Sequence, residues 1–226
     1  KDFIDSLTKD VPREEITVLG SAGEVRVRLT VGGEAEARRA HLGALRAAVR
    51  EALGEAVYAE GEEASLEGVV GALLAARGAT LAVAESCTGG LLGERLTRVP
   101  GASAFFLGGV IAYDNRLKTE WLEVAPELLA EAGAVSPAVA RAMAEGVRTR
   151  CGATLGLAIS GIAGPAGGTE EKPVGTVAIA LASGDPAVPG GQLFLRLPGD
   201  RNRVRWHASQ LALDLLRRHL LATGEG

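Results

Sequence analysis

Three short apolar runs, TLAVAE (residues 80–85), ATLGLAISG (153–161) and VGTVAIAL (174–181), constrain the fold of this chain more than any other feature. Each is bounded by glycines or polar residues, and together they read as strands of a buried sheet rather than as surface helices. FFLGGVIAYDN (105–115) and LFLRL (193–197) are strand-like as well. Segments of helical pattern lie between them. SLEGVVGALLAARG (65–78) has Ser65 as its expected N-cap and Gly78 as its C-cap, and CTGGLLGERLTRVPG (87–101) is stopped by Pro100 and Gly101. SPAVARAMAEGVRTRCG (136–152) has Ser136 to cap it and Pro137 at its first position, and RNRVRWHASQLALDLLRRHLLATG (201–224) closes the chain. Strands alternating with helices predict an α/β fold, a layered β-sheet with helices on both faces. The sheet should be mixed, because VGTVAIAL and LFLRL are neighbouring strands with a short connection.

Ahead of this stands a smaller α+β module. In ITVLGSAGEVRVRLTV (16–31), Val25, Val27, Leu29 and Val31 alternate with Arg26, Arg28 and Thr30, the period of a half-buried strand. GEAEARRAHLGALRAAVREALG (33–54) carries Leu42, Leu45 and Val49 at helical spacing with Gly54 to end it, and AVYAEG (56–61) resembles a short returning strand. The expected division is residues 1–62 and 63–226. The small module follows the general plan of a KH domain but lacks the basic GXXG loop that grips a nucleic-acid backbone, so it reads as a packing or linker domain.

Charge and cysteine usage narrow the function. The net charge of −4 is spread evenly, with no concentrated basic face, so no direct nucleic-acid binding is expected. No apolar stretch reaches membrane-spanning length and no signal peptide opens the chain. Cys87 and Cys151 form neither a disulfide framework nor a metal-ligand cluster, which predicts a cytoplasmic, reduced protein without a metal. The chain opens on Lys1, so an upstream domain is expected to be missing. The apolar-rich closing helix is expected to pack against a second copy, making a homo-oligomer such as a dimer.

Three polar clusters fall where strands should end, the place where α/β sheets hold ligands. The first is ESCTGG (85–90): Ser86 in the turn, Cys87 and Thr88 at the helix start, Gly89 and Gly90 beside them. A hydroxyl there lies near the positive end of a helix and near amides that stabilise an oxyanion, yet capping the helix is an equally ordinary use for Ser86 or Thr88. The second is YDNRLK (113–118). His41, His207 and His219 all sit in helical patterns with no suitable acidic partner evident in the sequence, so a desolvated Lys118 is the candidate base for Ser86, with Tyr113 to position or relay the proton. A surface lysine and a half-buried tyrosine explain the same residues. The third, SGIAGPAGGTEEKPVGT (160–176), packs five glycines between two strands, either to cradle a ligand or simply to connect. No G-K-[ST] completes a phosphate loop, and the Tyr-Lys spacing is one residue longer than that of short-chain dehydrogenases. Arg201, Arg203 and Arg205, after Gly199-Asp200, are candidates for a phosphate contact or a solvated helix face.

Taken in order and spacing, AESCTGG, GGVIAYDNRLK, AGAVSPAVARAMAEGVR and AISGIAGPAGGTEEKPVGTV closely resemble the C-terminal domain of the CinA family of competence/damage-inducible proteins. The resemblance covers about residues 64–221, and residues 1–62 look like the family's small linker domain. It implies a nicotinamide mononucleotide deamidase needing no cofactor, with nicotinic acid mononucleotide and ammonia as products. Carried onto this sequence, Ser86 would be the nucleophile, Lys118 the general base and Tyr113 its assistant, with the amides around Ser86 and Thr88 as the oxyanion hole. Thr88, Gly89, Gly90, Asn115, Ser160, Gly161, Ala163, Gly164 and Arg201 would bind the mononucleotide. The reading from a different class is a non-catalytic nucleotide-binding adaptor linked to competence or the DNA-damage response. Nothing resembling the family's N-terminal molybdopterin-binding-like domain is present.

Overall fold

The computed structural model describes residues 16–21, 23–62 and 64–223, which divide by their internal contacts into two units with the boundary after Glu62. In the first unit β1 (Ile16–Ser21) and β2 (Glu24–Leu29) form an antiparallel hairpin that sets Ile16 opposite Leu29. Helix α1 (Ala35–Leu53) follows and stops at Gly54, whose φ of +51° suits glycine. AVYAEG is not the returning strand expected of it. A 3-10 turn at Gly54–Ala56 gives way to irregular backbone, and the Glu60 carboxylate pairs with Arg46 and Arg50 on α1, which ties the segment to the helix.

The second unit runs α2 (Leu66–Ala76), β3 (Leu81–Glu85), α3 (Leu91–Thr97), β4 (Phe106–Ile111), α4 (Asn115–Leu122), α5 (Pro126–Ala132), α6 (Pro137–Cys151), β5 (Leu155–Gly161), β6 (Thr176–Ser183), β7 (Gln192–Arg196) and α7 (Arg201–Ala222). The sheet order is β4-β3-β5-β6-β7, with β3 parallel to β4 and β5, and β6 antiparallel to β5 and β7. It is the mixed sheet that the alternation predicted. Ser65 and Ser136 cap α2 and α6 by accepting from the amides of Gly68 and Val139. Two helices, α4 and α5, fall where no helix was expected; Asp114 caps the first and Pro126 opens the second.

Side-chain size sorts the two faces of the sheet. Ala82, Ala84, Ala158, Ala178, Ala180 and Ala182 share a core with Val139, Ala140, Met143, Ala144 and Val147 of α6. Along each strand the alternate residues, such as Leu81, Val83, Leu157, Ile159, Ile179 and Leu181, point to the opposite face, where α7 packs on β5 and β6. Small residues let α6 come unusually close: a Cβ built on Gly156 would stand 2.1 Å from the Ala144 carbonyl oxygen. On the larger-residue side, buried Arg95 of α3 donates to Glu67 of α2 and to Ser209 and Gln210 of α7, and its guanidinium lies 4.4 Å from the Trp206 ring centroid. One cation thus ties three helices together.

The topology then dictates where ligands can sit. Because β3, β4 and β5 run parallel, their carboxyl ends lie along one edge of the sheet. Two antiparallel steps turn β7 back into the same direction, so the start of α7 arrives at that edge too. The three polar clusters and Arg201 therefore converge.

Candidate active site

The strand β3 is buried throughout and ends in Glu85, which is 1% exposed. The amide of Ser86 donates to the Ile159 carbonyl at 2.9 Å and so prolongs the pairing with β5 by one residue. Gly89 (φ +58°) and Gly90 (φ +93°) then take consecutive left-handed conformations, which explains a glycine pair here. As a result α3 begins at Leu91, four residues later than its expected start at Cys87. Neither Ser86 nor Thr88 caps it. The Glu85 carboxylate does so, accepting from the amides of Gly90 (3.0 Å), Leu92 (3.0 Å) and Gly93 (2.8 Å). The Ser86 hydroxyl is thereby released from the structural role that sequence alone left open to it.

Lys118 owes its position to Asp114, whose side chain accepts from the Arg116 amide and starts α4. A helical side chain leans toward its own N-terminus, and the Lys118 amine turns back to the end of β4. It is 1% exposed and donates to the Ala112 carbonyl at 2.8 Å and the Tyr113 carbonyl at 3.4 Å. Burial pulls its pKa below the ordinary lysine value, against the opposing pull of the Asp114 charge. Cys87 is displaced in the other sense: desolvation pushes its thiol up to about 12, with the Glu85 charge acting in the same direction. It is a thiol at neutral pH, not a nucleophile.

The glycine-rich segment after β5 is held from several sides. Ser160 Oγ donates to the Ala134 carbonyl at 2.7 Å, and Lys172 Nζ donates to the Ala132 carbonyl at 2.7 Å. Arg201 donates through Nη1 to the Gly164 carbonyl and through Nη2 to the Tyr113 hydroxyl, both at 2.9 Å. One arginine thus joins the second polar cluster to the third.

Between these loops lies a cavity of about 270 Å³, lined by Ser86, Tyr113, Asn115, Lys118, Ser160, Gly161, Ala163, Gly164 and Arg201 among others. That is close to the lower end, roughly 300 Å³, of ordinary ligand pockets. Lining residues not singled out in the sequence include Ala134 and Val135, while Ile162 belongs to the glycine-rich cluster after β5. Thr88, Gly89 and Gly90 are not in the lining. Thr88 is fully buried, its hydroxyl has no hydrogen-bond partner among the described residues, and its carbonyl accepts from Arg205 Nε at 3.2 Å and Nη2 at 2.7 Å. The oxyanion expectation is corrected in part, since the Ser86 amide is already engaged by Ile159. No hydrogen bond joins Ser86 to Lys118 among the described residues. None of the three histidines lines the cavity. Among the described residues no group of three His, Cys, Asp or Glu is placed to hold a metal ion, and no helix is long and apolar enough to cross a membrane.

Comparison with known proteins agrees with the fold. The family model of the CinA C-terminal domain matches residues 63–220. A putative competence-damage inducible protein of Moorella thermoacetica is 46% identical over 98% of this chain, and a CinA-like protein of Frankia casuarinae is 51% identical over 97% of it. The chain spans about half the length of these relatives, 52% and 49% respectively. Among solved structures, a CinA superfamily protein from Klebsiella pneumoniae superposes with a TM-score of 0.66 at 36% identity, covering 70% of this chain and 96% of that one. A competence/damage inducible protein from Agrobacterium tumefaciens gives a TM-score of 0.62 at 32% identity, over 71% of this chain and 99% of the other.

Proposed function

This chain belongs to the CinA family, and from that premise we propose that it is an amidohydrolase converting nicotinamide mononucleotide to nicotinic acid mononucleotide and ammonia. Residues 1–62 we read as the family's small linker domain. The observation that carries the proposal is that Ser86 and the buried, pKa-lowered Lys118 line one cavity with Arg201.

A carboxamide is a poor electrophile, so its hydrolysis needs an activated nucleophile, a stabilised oxyanion and a proton for the leaving amine. Ser86 Oγ attacks the carboxamide carbon while its proton passes to Lys118 Nζ. The tetrahedral adduct then collapses with cleavage of the C–N bond, the lysine returns the proton to the departing nitrogen, and ammonia leaves. Water, deprotonated by the same amine, attacks the acyl-serine ester; the acid departs and Ser86 recovers its proton. A neutral amine has two hydrogens and one lone pair. The carbonyls of Ala112 and Tyr113 accept the hydrogens, which leaves the lone pair to act as base. Arg201 uses only part of its fork on Gly164 and Tyr113, and its remaining donors suit the substrate phosphate.

The test is ammonia release from nicotinamide mononucleotide by the purified protein. Ser86→Ala should lower turnover on the order of 10⁴-fold or more while leaving the circular dichroism spectrum unchanged. A folded Ser86→Ala protein with normal turnover would remove the serine from its role. A second reading, nucleotide binding without turnover, draws on the lack of a hydrogen bond between Ser86 and Lys118; it predicts saturable binding of the mononucleotide and no ammonia.

A further inference from the structure

We propose that Glu85 and Arg205, neither of which lines the cavity, are positioning residues that together hold the 86–90 turn so that Ser86 faces the reacting carbonyl. The proposal rests on the reading of Ser86 as the nucleophile. Its first support is the chemistry of Glu85. Burying a carboxylate is costly unless its charge is met, and no ion pair meets this one among the described residues. Three amides do, at Gly90, Leu92 and Gly93. An ordinary helix cap accepts from one or two amides; this side chain reaches from the last strand residue across to the first helical turn. It draws both ends of the intervening segment together and obliges residues 86–90 to arch over them.

Arg205 acts on the middle of that arch. Its Nε and Nη2 both donate to the Thr88 carbonyl, from a helix on a separate part of the chain. Thr88 is turned wholly inward while Ser86 and Cys87 line the cavity. Glu85 and Arg205 are thus the charged groups that grip this turn, one through three amides and the other through the Thr88 carbonyl. The positions of the ends are set by the anion and the position of the apex by the cation.

The experiment compares Glu85→Gln and Arg205→Ala with wild type, using both nicotinamide mononucleotide turnover and the rate at which a fluorophosphonate labels Ser86, read by mass spectrometry. In Glu85→Gln one carboxylate oxygen becomes an NH₂ facing an amide donor. We expect kcat to fall about 10- to 100-fold with KM changed less than about threefold, and labelling of Ser86 to slow in parallel, because misplacing a nucleophile costs the chemical step more than binding. Arg205→Ala should follow the same pattern with a smaller loss, about 10-fold. It carries the test if Glu85→Gln does not fold. Folded variants that turn over and label at the wild-type rate, or that lose activity through KM alone, would overturn the positioning role. Wild-type protein that labels at Ser86 but releases no ammonia would sink the substrate reading instead; slower labelling in the variants would still support the positioning, and unchanged labelling would still overturn it.

Discussion

The two walls of the cavity are built on opposite electrostatic principles. The inner wall carries Ser86, Cys87 and Lys118, all buried, and the Lys118 amine donates to the backbone carbonyls of Ala112 and Tyr113. The outer wall carries the glycine-rich segment, Tyr113 and Arg201, where Tyr113 is 57% exposed and long cations at the surface hold carbonyls of the loops. The difference follows from what each wall has to do. A lysine serves as a base only when desolvation makes its charged form unfavourable, whereas a guanidinium keeps its charge buried or exposed and needs only free donors to meet an anion. On the proposed reading, burial prepares the base on one side, and the other side offers a charged donor.

Breaking the inner wall should therefore have the largest effect. Lys118→Ala is expected to lower kcat/KM by about 10²- to 10⁴-fold, the usual worth of a general base. In the wild type, activity should rise with pH, because only the neutral amine accepts a proton. The limb should lie below the ordinary lysine value of 10.5, since burial lowers the pKa, and it should vanish from the Lys118→Ala profile. The same displacement acts on stability. The unfolded chain holds this proton to higher pH than the folded one, so the contribution is present above 10.5 and is lost as pH falls through the folded pKa. Melting temperatures should show wild type gaining on Lys118→Met as the pH is raised toward 10.5. An identical pH dependence in the two proteins would mean that burial does not lower the pKa of this amine.

Much of the inner wall was legible in the sequence, because a strand buried on both faces writes itself as an apolar run and its carboxyl end is where a ligand sits. Placing Ser86, Lys118 and Ser160 at one edge needed no more than that. The start of α3 was not legible, since local capping rules look for a Ser or Thr at the helix boundary and cannot see a glutamate that reaches forward from the preceding strand. Thr88, Gly89 and Gly90, which the family resemblance put among the binding residues, stay out of the cavity lining, and the two glycines there are left-handed. α4 and α5 escaped notice because eight and seven residues are too few to display a period, although Asp114 and Pro126 were signals in plain view. The Arg95 cluster joins residues 67, 95, 206, 209 and 210, a proximity made only by the packing of three helices.

The outer wall should respond through binding. Arg201→Ala removes the guanidinium from the cavity and also its bonds to Gly164 and Tyr113, and we expect KM for nicotinamide mononucleotide to rise about 10- to 100-fold with a smaller change in kcat, as for loss of a charged hydrogen bond. Steady-state kinetics at fixed pH checks this. A loss confined to kcat would place Arg201 with the chemistry and erase the distinction between the walls.

The smallest effect is the most pointed test of what burial does. Cys87 stands next to Ser86 and lines the same cavity, so proximity alone would make it a rival nucleophile. Burial decides otherwise, for the thiol is pushed up to about 12 and almost none of it is thiolate at neutral pH. The sulfur also fits closely, since a Cβ added to Gly161 would stand 3.0 Å from it. The smaller oxygen of Cys87→Ser should be accommodated and leave turnover within about twofold of wild type, as expected of a group outside the chemical step. Iodoacetamide at neutral pH should spare the activity of the folded wild type. If it instead abolishes activity as fast as it alkylates a free thiol, burial does not silence Cys87, and the argument that the same wall lowers the pKa of Lys118 fails with it.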